Sequence, residues 1–153
     1  YSQQHWLLLE KKNQQLLSTL SINCLIRIMP QEIAKKWLRQ AEGDLVSVKS
    51  LLDDGQFYAS AFFSQQSAEK ALKAVCINNG LGLIRSHDLI LLGQKAKAPE
   101  AIIERAGKLS VHYAQTRYPD YEDDIPLDSY TKAEAHEALS IANEVLEWSK
   151  KKI

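Results

Sequence analysis

The sequence predicts an all-α domain, a five-helix up-and-down bundle, on three observations. Apolar residues recur at steps of three and four along most of the chain, the signature of helices with one buried face. No stretch alternates apolar and polar residues for long enough to build a sheet. The links between the amphipathic stretches are short with one exception, and short links make consecutive helices antiparallel neighbours.

The first helix is expected over residues 31–53. Trp37, Leu38, Ala41, Leu45, Val48 and Leu52 fall on one face, and Asp53-Asp54-Gly55 ends it with a glycine suited to a left-handed cap. The second helix, over residues 58–79, carries Ala61, Phe62, Ala68, Leu72 and Val75 and stops at Asn78-Asn79-Gly80. A short third helix over residues 87–97 takes Ser86 as its N-cap, with Asp88 near its positive end. Pro99 opens a fourth, residues 99–113, with a stripe of Ile102, Ala106, Leu109 and Tyr113. The long polar connection, 114–130, holds Pro119 and Pro126. Thr131-Lys132-Ala133-Glu134 then fits a capping box for the last helix.

The only methionine, Met29, stands directly before Pro30, which suits a first helical turn. The expected boundary therefore lies at 28/29, with the helical domain at 29–153. Residues 1–28 are an extension: either non-native sequence ahead of the true start, or a loosely packed extra helix with Trp6, Leu9, Leu16, Leu17 and Leu20 as its apolar face. A targeting segment fits less well, because the apolar run after Lys11 and Lys12 is broken by Ser18, Thr19, Ser21 and Asn23.

One hundred and fifty-three residues suffice for one core. Lys plus Arg and Asp plus Glu are both 19, which speaks against sequence-specific duplex DNA binding through bulk charge. Two cysteines, Cys24 and Cys76, cannot make a disulfide framework or a thiolate zinc site, and they fit a reducing, cytoplasmic compartment. The longest mostly apolar run, residues 20–28, is too short for a bilayer. The four histidines show no metal-ligand spacing, and there is no phosphate-binding glycine loop. No metal and no cofactor are expected.

Three features carry chemistry. On the second helix Gln65, Glu69 and Lys73 step by four, with Gln66 and Lys70 alongside. They form either a solvated face with a favourable Glu69–Lys73 pair or a polar seam at a groove or dimer interface. After the fourth helix comes Arg117-Tyr118-Pro119-Asp120-Tyr121. Arg117 offers a rigid fork for phosphate, and Tyr118 and Tyr121 could stack on a base. Alternatively Arg117 pins the loop by pairing with Glu122, Asp123 or Asp124, acids that would repel nucleic acid unless turned away or holding a cation. His87, in the expected first turn of its helix, is either a neutral base or a local structural residue.

Taken together these segments resemble the HEPN domain family. The matching residues are Trp37-Leu38-x-x-Ala41-x-x-Asp44-Leu45, Gln65-Gln66-x-Ala68-Glu69-Lys70-x-x-Lys73-Ala74, Ser86-His87-Asp88-Leu89 and Arg117-Tyr118-Pro119-Asp120, in order over residues 30–152. The resemblance implies a five-helix bundle that forms a homodimer, a prokaryotic cytoplasmic setting, and a small nucleotidyltransferase partner in a toxin–antitoxin pair. It implies a nucleotide- or RNA-binding role for Arg117, Tyr118, Tyr121 and His87, with Gln65, Gln66, Glu69, Lys70 and Lys73 along the groove or dimer seam. Many relatives are metal-independent ribonucleases that use an Arg followed within a few residues by a His. Here no His follows Arg117 at that spacing. The pair that fits numerically is Arg105 and His112, and a second route would bring His87 to Arg117 through the fold. The sequence therefore resembles the non-catalytic, Arg-Tyr-Pro-Asp branch. A purely structural partner without a ligand is the remaining reading.

Overall fold

The computed structural model describes residues 3–121 and 123–153, except the side chains of residues 3–10, 13, 14, 17, 20, 21 and 23–28. Seven helical segments follow in order: α1 (Gln3–Asp53), α2 (Phe57–Asn78), α3 (Leu89–Lys95), α4 (Glu100–Leu109), α5 (His112–Gln115), α6 (Pro126–Ser129) and α7 (Lys132–Lys150). Among the described residues there is no strand. Five of the helices form the expected bundle, and α5 and α6 are single turns within the 114–130 connection and its approach.

The first helix begins far earlier than expected. It runs unbroken through Pro30, so no change in backbone marks position 28/29. A proline removes one backbone hydrogen bond and crowds the preceding turn. The Leu-, Gln- and Lys-rich sequence before it and the Lys- and Ala-containing turns after it favour helix enough to carry the path through. Of the apolar set on the extension, Trp6, Leu9, Leu17 and Leu20 lie outside the described side chains; Leu16 is exposed.

Both long-helix ends use glycine as expected. Gly55 has φ +74°; its N–H donates to Leu52 O and that of Gln56 to Leu51 O. Gly80, at φ +80°, repeats the pattern with Ile77 O and Cys76 O. These paired bonds satisfy the last carbonyls of the helix and need a left-handed residue. Thr131 closes its capping box: Glu134 N–H donates to its hydroxyl, and the Glu134 carboxylate accepts from Thr131 N–H.

Two boundaries move. The third helix starts at Leu89, and its N-cap is Asp88 rather than Ser86: Asp88 Oδ1 accepts from Ile90 N–H at 2.9 Å and Leu91 N–H at 3.3 Å. A carboxylate is the stronger acceptor at the positive helix end, and Ser86 instead accepts from Asp88 N–H just ahead of the helix. The fourth helix stops at Leu109 rather than reaching Tyr113. At Ser110 the backbone stays helical but its N–H turns to Gly107 O, and its hydroxyl accepts from Leu89 N–H, tying the α4 end to the α3 start.

α2 is the central helix, packed by α1 on one side and α7 on another. Its inward positions are small: Ser60, Ala61, Ser64, Ala68, Ala71 and Ala74 are fully buried. Larger side chains complete the core, Leu72 and Val75 from α2 itself and Leu89, Leu92, Leu109 and Ile141 from the helices around it. At about 25 cal/mol per Å² of apolar surface, burying such leucines is the main source of stability.

Candidate functional site

The polar edge of α2 is inside the molecule. Gln65 is fully buried, and Glu69 and Lys73 are 5 % and 6 % exposed, so the solvated-face alternative is not what the fold makes. Glu69 Oε1 accepts from Lys73 Nζ at 2.7 Å and Oε2 from Gln65 Nε2 at 2.9 Å. Gln66 Nε2 donates to Gln65 Oε1 and extends the chain of bonds outward. Burial alone would push the Glu69 pKa up. The hydrogen bonds from Lys73, Gln65 and His87 outweigh it and hold the carboxyl below its ordinary range.

The third donor arrives from the 80–88 loop. His87 Nδ1 lies 3.1 Å and 3.2 Å from the two Glu69 oxygens. The other side of the imidazole faces out, with half the side chain exposed. Its ring stacks on Tyr113 of α5, centre to centre 4.1 Å with 20° between planes. The guanidinium of Arg117 sits over the same tyrosine at 4.2 Å and over Phe62 of α2 at 5.0 Å. The fold thus brings Gln65, Glu69, Lys73, His87 and Arg117 into one constellation.

Arg117 is exposed and makes no salt bridge among the described residues. Asp123 and Asp124 do not pair with it, and Glu122 lies outside the described residues. Two aromatic faces orient its guanidinium, and among the described residues no carboxylate pairs with it. Tyr118 and Tyr121 stand beside it, 52 % and 55 % exposed, so flat ring surface and a phosphate-binding fork share one surface.

Arg105 and His112 face separate partners. Arg105 grips Glu144 through two bonds of 3.1 Å and 2.8 Å and approaches Glu137 at 3.8 Å. His112 Nδ1 meets the Tyr130 hydroxyl at 2.7 Å. Burial lowers the His112 pKa, against the opposing pull of Glu134 and Glu137. Both residues tie helices to α7 or to the 114–130 connection.

Lys70 leaves the Glu69 group and pairs with Asp44 of α1, whose other oxygen accepts from Gln40 Nε2 at 3.0 Å. Outside this pair lies a pocket of about 220 Å³ lined by Lys36, Trp37, Gln40 and Lys70. The residues missed from the sequence are Asp44, Phe62 and Tyr113. Asp44 had a readable signal, an acid between Ala41, Leu45 and Val48 on an apolar face. Phe62 and Tyr113 read as ordinary core positions. Among the described residues, no group of three His, Cys, Asp or Glu is placed to hold a metal ion, and no helix is long and apolar enough to cross a membrane.

A sequence model of the HEPN domain family matches residues 34–153. This chain belongs to the HEPN family. It is 34 % identical over 127 residues to a protein of Methanocaldococcus jannaschii named "Putative toxin MJ1304", covering 74 % of this chain and 84 % of that one. Two crystal structures share the fold. TT1696 from Thermus thermophilus superposes with a TM-score of 0.73 at 32 % identity, over 78 % of this chain and 98 % of its own. ST0689, described as an archaeal HEPN homologue, gives 0.69 at 32 % identity, over 78 % and 96 %. The matched HEPN region holds all the residues of the constellation.

Proposed function

We propose that this HEPN chain is an RNA- or nucleotide-binding module in which Arg117 holds a phosphate, Tyr118 and Tyr121 stack on a base, and His87 completes the site. The observation that carries this reading is the exposed Arg117 guanidinium, unpaired among the described residues and braced on Tyr113 beside a carboxylate-held imidazole. A guanidinium neutralised by Asp123 or Asp124 would have favoured a purely structural role. In this reading the chain works as a homodimer with a small nucleotidyltransferase in a toxin–antitoxin pair. The name of the Methanocaldococcus relative supports the toxin part.

One observation favours a second reading, a metal-independent ribonuclease. His87 and Arg117 rest on the same tyrosine ring, so a group able to transfer a proton and one able to stabilise phosphate charge share one aromatic platform. Cleavage and binding separate in one experiment: labelled single-stranded RNA with purified protein in EDTA, read by polarisation and by gel. Binding without cleavage is expected. Arg117→Ala removes a charge-assisted contact of about 1.5–3 kcal/mol, so Kd rises about ten- to a hundredfold. Cleavage abolished by His87→Ala establishes the nuclease. Unchanged binding by Arg117→Ala refutes both readings of the site.

A further inference from the structure

The carboxylate of Glu69 does more to the imidazole than neutralise charge. An ionised carboxylate only accepts hydrogen bonds. Lys73 and Gln65 each hold one oxygen in place, and both oxygens face His87 Nδ1. That nitrogen must therefore carry a hydrogen. A neutral imidazole has one N–H, so its other nitrogen, Nε2, keeps a bare lone pair. Tyr113 fixes the plane of the ring by stacking, and Glu69 decides which ring edge turns inward. The exposed half of the side chain then presents an acceptor on the same tyrosine platform that carries the Arg117 donors. A lone pair repels a phosphate oxygen and welcomes an O–H. In a strand whose phosphate is held by a guanidinium, the nearby O–H is the ribose 2′-hydroxyl, which separates RNA from DNA.

We infer that Glu69 is a positioning residue that locks His87 in the Nδ1–H form, and that the outward Nε2 reads the ribose 2′-hydroxyl of a strand whose phosphate Arg117 holds. The second half rests on the RNA reading above; the first half does not.

The test has two arms. Long-range ¹H–¹⁵N correlation of the intact protein at about pH 8.5, above the usual imidazole range, reports the His87 tautomer. Nδ1–H is expected in the wild type, with Glu69→Gln moving the ring toward Nε2–H. Glu69→Asp is the second variant, since it keeps the charge opposite Lys73; its shorter reach should loosen the lock only partly. An Nε2–H ring in the wild type overturns the lock, and so does a folded Glu69→Gln protein with an unchanged ring. The second arm compares RNA and DNA single strands of one sequence. A preference for RNA of about tenfold is expected, abolished in His87→Ala and kept in Arg117→Ala, which weakens both strands alike. Equal wild-type affinity for the two strands overturns the hydroxyl readout alone. Failure to bind either strand removes the RNA reading with it, while the tautomer arm still decides the lock.

Discussion

Replacing Lys73 by methionine keeps most of the side-chain volume and removes the ammonium that lies 2.7 Å from a Glu69 oxygen. Both side chains are under 10 % exposed, so water cannot take over the lost contact. Breaking a buried pair from one side costs about 3–5 kcal/mol, because the remaining charge is left in a poor solvent. Here Glu69 keeps two donors, Gln65 Nε2 and His87 Nδ1, which places the cost at the lower end, about 3 kcal/mol. For a chain of this length that corresponds to a fall of roughly 6–12 °C in Tm. Urea unfolding with an unchanged m-value would measure it. The control is Lys35→Met, whose partner Glu32 sits with it on an exposed surface, and whose loss is under about 1 kcal/mol. The acid limb supplies a second reading. The folded-state pKa of Glu69 lies below its ordinary 4.5. Its contribution is therefore complete above that value and is lost as pH falls through the depressed one. Lys73→Met weakens the depression and starts the loss at higher pH. A cost below about 1 kcal/mol would place the pair among solvated surface ion pairs and refute the argument.

Further outcomes follow from single contacts. His112 has a folded pKa below its ordinary 6.5 because it is buried. The unfolded chain then takes up the proton first, so stability is full above that value and falls as pH drops below it. His112→Gln should flatten the stability curve between about pH 7 and 5, and an equal slope in both proteins would contradict this. Thr131→Ala removes the hydroxyl that accepts from Glu134 N–H and donates to the Glu134 carboxylate, keeps the backbone half of the α7 capping box, and should cost about 1 kcal/mol in urea unfolding. Arg105→Ala frees Glu144 but touches nothing in the His87–Arg117 constellation; RNA affinity should stay within about twofold, and a larger loss would move the site toward α7.

Much of the bundle was legible because local rules wrote it. Gly55, Gly80 and the Thr131–Glu134 pair mark helix ends through backbone chemistry that acts over four or five residues. The start of α1 was misread because a proline permits a helix start without enforcing one. Ser86 and Asp88 compete for one cap only two residues apart, and only geometry decides between them. The site was half legible. Gln65, Glu69 and Lys73 announce a shared face, but whether it is wet or dry depends on α1 and the 80–88 loop. Glu69 and His87 are 18 residues apart in sequence, and the Tyr113 platform stands on a single turn of helix whose separation from α4 no periodicity shows.

The small inward face of α2 has a consequence for how this protein can vary. With Ala and Ser at the contact positions, neighbouring backbones already lie close, and almost any larger residue there must push a whole helix aside. The same helix carries Gln65, Glu69 and Phe62 on its other sides. A steric change deep in the bundle is therefore passed through these side chains to His87 and Arg117 as a rigid displacement rather than absorbed. In a saturation scan scored for binding, sensitivity should follow α2 along its length, with buried alanines as intolerant of enlargement as Arg117 is of removal. Evolutionary drift would then be channelled to α1 ahead of the bundle and to the outer surfaces, leaving the central helix as the slowest-changing part of the molecule.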